Sequence, residues 1–274
     1  IFSDDHLEGL KRLSSKIKVS GSVAICQIHH AGMRSPEELI GQKPVCPSDN
    51  KEFNARGLTC DEIETLRDDF IGAAIRSEQA GFDVVELHVS HGYILAQFLS
   101  SEINKRDDHY GGSLINRSRL MYEIIDGIRR DCSKDFIIGV RLSPERFGLK
   151  LNEITLLAEE LMTSDKIDFL DMSLWDVFKE PEDEEFRGNT SLGVAGSIKT
   201  PLDAEKTMSE GVDWIMLGRA GILHHNYPKM YEVDRNFSPI EIPVTKEYLI
   251  NEGLSEKFIQ YIEKWGFTSE ISKN

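Results

Sequence analysis

The chain has 274 residues, 40% of them hydrophobic, with 32 Lys and Arg against 47 Asp and Glu for a formal net charge of −15. That length suits one barrel-type domain or two smaller ones, and the acidic balance argues against nucleic acid or an anionic membrane as the main partner, because polyanions reward Lys and Arg patches. No apolar run approaches the roughly 20 residues that span a bilayer. The opening segment reads as a polar helix instead of an apolar export core. The four cysteines, Cys26, Cys46, Cys60 and Cys132, are widely spaced and form no CxxC pair, so they read as reduced thiols. A soluble, cytoplasmic protein is expected.

Taken in order, helix and strand alternate. Residues 4–19 place Leu7, Leu10, Leu13 and Ile17 at helical spacing behind Ser3, an N-cap residue type. Ser22 to Ile28 reads as a buried strand ending in Gln27-Ile28-His29-His30-Ala31-Gly32. The loop from Met33 to Gly57, marked by Pro36, Pro44 and Pro47, is long enough to suggest function. Thr59 and Glu62 make a capping box for a helix with Ile63, Leu66, Phe70 and Ala73/Ala74 on its apolar face, ended at Ala80-Gly81. A strand over Phe82 to Leu87 then leads into His88-Val89-Ser90-His91-Gly92-Tyr93 and the apolar segment Ile94 to Leu99.

The polar loop Asn104 to Ser113 precedes a helix with Met121, Ile124/Ile125 and Ile128 on one side. Phe136 to Leu142 is a continuous apolar strand that delivers Arg141 to its C-terminal end. Asn152 is expected to cap a helix carrying Ile154, Leu157/Ala158 and Leu161/Met162. Ile167 to Met172 and Leu192 to Ala195 read as short strands, with Pro201 in the first turn of the next helix. Trp214 to Leu217 runs into Gly218-Arg219, and the tail beyond Tyr227 has an amphipathic segment from Lys257 to Trp265.

This alternation means a parallel sheet with right-handed crossovers. The fold class expected is α/β, a (β/α)8 TIM barrel that is incomplete, since six strands are recognisable and closure needs eight. Residues 1–230 are read as the barrel and residues 231–274 as a tail with short helices. Trp175 to Thr190, dominated by Glu180, Glu182, Asp183, Glu184 and Glu185, shows no helical apolar face, so a crossover helix is missing there.

The chemistry concentrates at His88, His91 and Tyr93. Side chains at the C-terminal end of a parallel strand point to the rim where such folds bind ligands. Two neutral imidazoles there can hold a substrate oxygen and polarise what is conjugated to it, and a phenol, protonated at neutral pH, can deliver a proton. The plain alternative is that His88 closes the strand on a backbone carbonyl, His91 caps the next turn and Tyr93 packs. His30 is read as orienting its loop, Arg106 and Tyr110-Gly111-Gly112 as bracing the loop above the His88 strand end, and His224 and His225 as a solvated helix start. The Glu180 to Glu185 run is read as a solvated acidic loop.

Several motifs fall in one order: Gln27-x-x-His30-Ala31-Gly32, Ala80-Gly81-Phe82-Asp83, His88-x-x-His91-Gly92-Tyr93, Asn104-x-Arg106, Tyr110-Gly111-Gly112-Ser113, Asn116-Arg117, Gly139-Val140-Arg141-Leu142-Ser143, Gly196 and Gly218-Arg219. From about Ser3 to Tyr227 the chain resembles the old yellow enzyme family of FMN-dependent ene-reductases. The resemblance implies hydride transfer from reduced FMN to the β-carbon of an activated alkene, with NAD(P)H as reductant. His88 and His91 would then hold the carbonyl or nitro oxygen, and Tyr93 would protonate the α-carbon. It further implies that Gln27 bonds the polar edge of the flavin ring, that Arg141 lies near its N1 side, and that Gly196-Ser197 and Gly218-Arg219 hold the phosphate.

The chain also departs from the family pattern. Met33 stands where the family has an arginine after His-Ala-Gly, with Arg34 one place later, and Ser197 replaces a second glycine or polar residue. The first two barrel strands have no counterpart before Ile1, so a longer parent chain is expected. No cysteine cluster follows Gly218, so electrons are expected directly from NAD(P)H and not through an iron–sulfur extension of the dienoyl-CoA reductase kind. Two other readings stand beside this one: a metal-dependent hydrolase using His88 and His91, which lacks an HxH or carboxylate partner at a matching strand end, and a colourless remnant that binds no flavin.

Overall fold

The computed structural model describes residues 1–178 and 190–268. Contacts divide the chain into two compact units, the first running from Ile1 to Ser173 and the second carrying the chain from Gly193 onward. The Glu180 to Glu185 run lies outside the described residues.

In the first unit, β1 (Ile25–Ile28) is followed by two short strands, β2 (Val45–Cys46) and β3 (Arg56–Gly57), which pair with each other. Then come β4 (Val84–Val89), β5 (Ile137–Leu142) and β6 (Phe169–Ser173). β1, β4, β5 and β6 lie side by side in that order, and every pairing among them is parallel. Gly193 to Ala195 of β7 (Ser191–Ala195) and β8 (Trp214–Met216) lie in the second unit and also pair in parallel. Parallel neighbours need helical crossovers, and the sequence supplies them. The helix Cys60–Gln79 starts on the Thr59/Glu62 capping box, buries Ile63, Leu66 and Phe70, and gives way to Gly81 at φ 82°. The helix Leu114–Asp131 is capped by Ser113, whose hydroxyl accepts from the Asn116 N–H, and it buries Met121, Ile124, Ile125 and Ile128.

Boundaries move by up to three residues from expectation, the first strand starting at Ile25 instead of Ser22, and one cap is corrected. The helix Leu151–Thr163 begins behind an extended Lys150 with no side-chain cap. Asn152 falls inside its first turn, where the backbone is already helical. His224 is a second correction: it is buried, its Nε2 accepts from the Ile240 N–H at 3.0 Å, and its Nδ1 lies 3.4 Å from the Tyr248 hydroxyl. The tail folds back to build a small core of Leu223, Val244, Leu249, Ile259, Ile262 and Phe267, which takes that histidine out of water.

The two-residue period of the strands sorts the first unit's sheet into two faces. One carries Val85, Leu87, Val89, Ile138, Val140 and Leu142, all buried. The other carries Glu86 and His88 on β4, Gly139 and Arg141 on β5, and Phe169, Asp171 and Ser173 on β6. Gly139 is a glycine because the Phe169 ring lies across it: a Cβ there would sit 2.0 Å from the ring. Alanine is otherwise the better strand residue, so the clash decides the sign. Gly139→Ala should lower stability by about 1–3 kcal/mol, as overpacking does, measured by the urea midpoint.

Candidate active site

β4 ends in a sharp turn. His91 takes φ 57° and Gly92 φ 70°, two consecutive left-handed residues, the first a non-glycine in a region that few but histidine, asparagine and aspartate enter. The turn folds His91 back beside His88, and His91 Nδ1 lies 3.1 Å from His88 Nε2. Tyr93 then leads the helix Ile94–Leu99, and the Ile94 N–H donates to the His30 carbonyl, tying the end of β1 to the end of β4. The Tyr93 ring lies 5.3 Å from the His88 ring, and its hydroxyl makes no hydrogen bond to a described residue.

Arg141, opposite His88 in the β4–β5 register, donates from Nη2 to Ser173 Oγ at 3.1 Å, and Ser173 Oγ lies 2.9 Å from His91 Nε2. Proton counting orders this chain. With Ser173 accepting from Arg141 and donating to His91 Nε2, His91 Nδ1–H donates to His88 Nε2, and His88 Nδ1–H remains as a donor. That atom is buried with no partner. The opposite direction would leave two groups unpaired, the Ser173 hydroxyl proton and His88 Nδ1. His91 thus has both nitrogens engaged, and His88 offers the free donor.

Both imidazoles are held neutral. Burial is the main cause, helped for His88 by His91 and Arg141 and for His91 by Arg141 and Arg34, and their ordinary value near 6.5 falls to about 3 and about 4 respectively. A neutral imidazole can hold an oxygen with an N–H while leaving any new charge on that oxygen.

Below the imidazoles the same face carries charge. Gln27 on β1 is paired in register with Glu86 and donates to it from Nε2, which leaves the Gln27 carbonyl oxygen to accept elsewhere. Arg141 Nε lies 3.3 Å from Asp171 Oδ2, an ion-pair distance at an angle that makes no hydrogen bond. The structure therefore brings Gln27, His88, His91, Tyr93 and Arg141 together in the first unit.

Three neighbours escaped the sequence reading. His29 stacks beside Tyr93 at 4.9 Å and sits 6.0 Å from His88. Its signal was the period of two from Gln27. Asp171 and Ser173 carry the same period on β6. Arg34 resolves the displaced-arginine question: Met33 is buried against Cys46 and Ala55, while Arg34 donates to the His91 carbonyl at 2.6 Å and lies 5.4 Å from the Tyr93 ring and 5.7 Å from that of Phe147. His30 and Arg106 act in their loops. His30 Nδ1 accepts from the Gly32 N–H, and Arg106 binds Asp108 and the carbonyls of Pro47 and Leu58.

Gly196, Ser197, Gly218 and Arg219 belong to the second unit. A Cβ on Gly196 would lie 2.6 Å from the Leu174 carbonyl oxygen, so only glycine fits there, and Ser197 follows at φ 51°. A Cβ on Gly218 would meet open space, so that glycine is not sterically required. Arg219 is exposed, makes no ion pair with a described residue, and lines a cavity of about 170 Å³ with Lys199 and Thr200. A glycine backbone and a free guanidinium suit a phosphate. An unpartnered His88 N–H and a pinned Gln27 amide suit a polar ring and an electron-rich oxygen. The first unit's residues thus fit the ring of FMN, and the second unit's residues, taken by themselves, fit its phosphate. Among the described residues no group of three or more His, Cys, Asp or Glu is placed to hold a metal ion, and no helix is long and apolar enough to cross a membrane.

The comparisons with known proteins agree on the family. Residues 1–238 match the model of the NADH:flavin oxidoreductase / NADH oxidase family. The chain belongs to that family. It is 33% identical over 251 residues to the probable NADH-dependent flavin oxidoreductase YqiG of Bacillus subtilis, covering 83% of this chain and 67% of that one. An old yellow enzyme homologue of Zymomonas mobilis superposes with a TM-score of 0.75 at 27% identity, over 90% of this chain and 76% of that one. Histamine dehydrogenase from Rhizobium superposes at 0.74 with 28% identity, over 85% of this chain and only 38% of that chain. β1, β4, β5 and β6 of the first unit, and β7 and β8, are thus strands of the family's (β/α)8 barrel, and the family is one of flavin oxidoreductases.

The neutral imidazoles carry a consequence for stability. The unfolded chain takes up their protons from about pH 6.5 downward, whereas the folded chain resists to about pH 4 at His91 and about pH 3 at His88. Their contribution is complete above about pH 6.5 and is lost as pH falls through that window. His88→Gln should flatten the acid limb of a urea-unfolding series against pH, and an acid limb as steep as the parent's would overturn the neutral assignment.

Proposed function

We propose that this chain carries the catalytic centre of an FMN-dependent NAD(P)H oxidoreductase that reduces the C=C bond of α,β-unsaturated carbonyl or nitro compounds. The observation that carries the reading is the cluster at the end of β4: an unpartnered buried imidazole N–H beside a phenol that makes no hydrogen bond to a described residue, one strand from a guanidinium. FMN, when bound, supplies the hydride, taken from NAD(P)H.

This chain's residues do the rest. His88 donates from Nδ1 to the carbonyl or nitro oxygen and stabilises the enolate-like charge that builds there. For His91 to join it, the His88–His91 bond must open, and Ser173 keeps the His91 ring in place meanwhile. Tyr93 gives its hydroxyl proton to the α-carbon. The Arg34 guanidinium and the His29 ring restrict where the phenol can swing. Gln27 and Arg141 bind the polar edge and N1 side of the flavin ring, and Gly196, Ser197, Gly218 and Arg219 hold its phosphate.

A visible spectrum of the full-length protein, repeated after anaerobic NADH or NADPH and again after an enone, tests the reading directly. Flavin bands should appear, bleach and return. A protein that stays colourless with added FMN would be the flavin-free remnant instead. Tyr93→Phe should leave bleaching by nicotinamide intact and slow the return with enone by about 100-fold or more, the usual weight of a positioned acid; an equal rate would remove Tyr93 from the chemistry. Arg219→Ala should release FMN on gel filtration, and full occupancy in that variant would refute the phosphate assignment.

A further inference from the structure

Two carboxyl groups sit behind the candidate site, and the reaction as read above uses neither. Glu86 and Asp171 are 5% and 0% exposed. Each side chain shares a sheet face with Arg141, on the strands to either side of it: Asp171 is its register partner on β6, and Glu86 lies on β4 two residues before His88, which faces Arg141. Glu86 also accepts from Gln27 on β1. The four side chains make a row across β1, β4, β5 and β6, ordered Gln27, Glu86, Arg141, Asp171. Both oxygens of Asp171 lack a hydrogen-bond donor, and Arg141 Nε lacks an acceptor.

Two buried carboxylates against one guanidinium would leave a net negative charge out of water. That state is costly, because each uncompensated buried ion costs several kcal/mol. One proton removes the excess and leaves one carboxylate paired with one guanidinium. We propose that Glu86 and Asp171 are positioning residues that share a single proton, and that together they hold Gln27 and Arg141 at the angles the site requires.

The proton resides mainly on Asp171. Glu86 accepts from the Gln27 amide, which favours its ionised form, whereas Asp171 receives no donor. Burial pushes Asp171 up to about 7 against the pull of Arg141, and the charge of Glu86 adds to the push. Glu86 is also raised by burial, but Gln27 and Arg141 both oppose the rise. Arg141 and Glu86 are the charged groups acting on Asp171, and the neutral His88 and His91 lie further along the same face. In this arrangement the pair titrates as a unit.

The consequence for Gln27 and Arg141 as flavin contacts rests on the function proposed above; the shared proton does not. Infrared spectra of the flavin-free protein separate the two. Near pH 6 the parent should show one deuterium-sensitive C=O stretch of a buried carboxylic acid, fading as pH rises through about 7. Asp171→Asn should abolish it, because Glu86 stays ionised. Glu86→Gln should abolish it too, because Asp171 then ionises to balance Arg141. Absence of the band in the parent would overturn the proposal, as would its survival in Glu86→Gln, which would make Asp171 merely a desolvated acid. The positioning role is read from FMN affinity against pH. The parent should lose affinity as the second carboxylate forms, and Asp171→Asn should lose that part of the dependence. Superimposable profiles would refute positioning, whereas a parent that binds no FMN at any pH would refute the flavin reading and leave the infrared result standing.

Discussion

Polar groups drawn out of water seek one another as partners, and at the end of β4 that tendency orders the site while leaving His88 Nδ1, Arg141 Nε and both Asp171 oxygens unsatisfied. Arg141, Ser173, His91 and His88 form one directional chain of hydrogen bonds, and Gln27, Glu86, Arg141 and Asp171 form a row beneath it. Arg141 belongs to both. Its guanidinium suppresses protonation of the imidazoles above, so they remain hydrogen-bond donors and acceptors instead of cations. It also opposes, without cancelling, the cost of burying the carboxyl groups below. Burial thus shifts all four neighbouring groups, and the same cation reinforces the shift of the imidazoles and resists that of the carboxyl groups, its field reaching further in a desolvated interior than in water.

The loops around this core are held by arginines that the plain reading of the motifs leaves unassigned. Arg34 clamps the His91 carbonyl and lies over Tyr93 and Phe147, and the Phe147 ring in turn rests on Gly92, where a Cβ would be only 2.9 Å away. The left-handed turn at His91 and Gly92 is thus held from two sides. Arg117, 3% exposed, joins the Gly112 and Leu99 carbonyls to Glu153. Such buried guanidiniums act chiefly by geometry, since a planar fork with fixed donors specifies where several chain segments must meet. The outcome is a rigid surround for side chains whose own hydrogen bonds must open to admit a ligand.

Much of the fold was legible because its signals are local. The Thr59/Glu62 capping box, the Gly81 stop and the apolar stripe of residues 114–131 each depend on residues within a turn or two of one another, and each appears as expected. Where the reading missed, the deciding contact was distant. Asn152 has the chemistry of a cap, but the helix already begins at Leu151 behind an extended Lys150. His224 looked solvated, but Phe237, Ile240 and Tyr248 of the tail close on it.

The amino-acid sequence by itself determined the alternation of parallel strands and helices, the placing of Gln27, His88 and Arg141 at strand ends, and the family. These follow from period and motif, which are properties of neighbouring residues. Tertiary structure decided which of those side chains meet. Ser173 reaches His91 across 82 residues and Arg141 across 32, and Asp171 faces Arg141 only because β5 and β6 pair in one register. Register is set by the packing of whole strands against whole helices, and a shift of a single residue would turn every one of these polar groups to the opposite face.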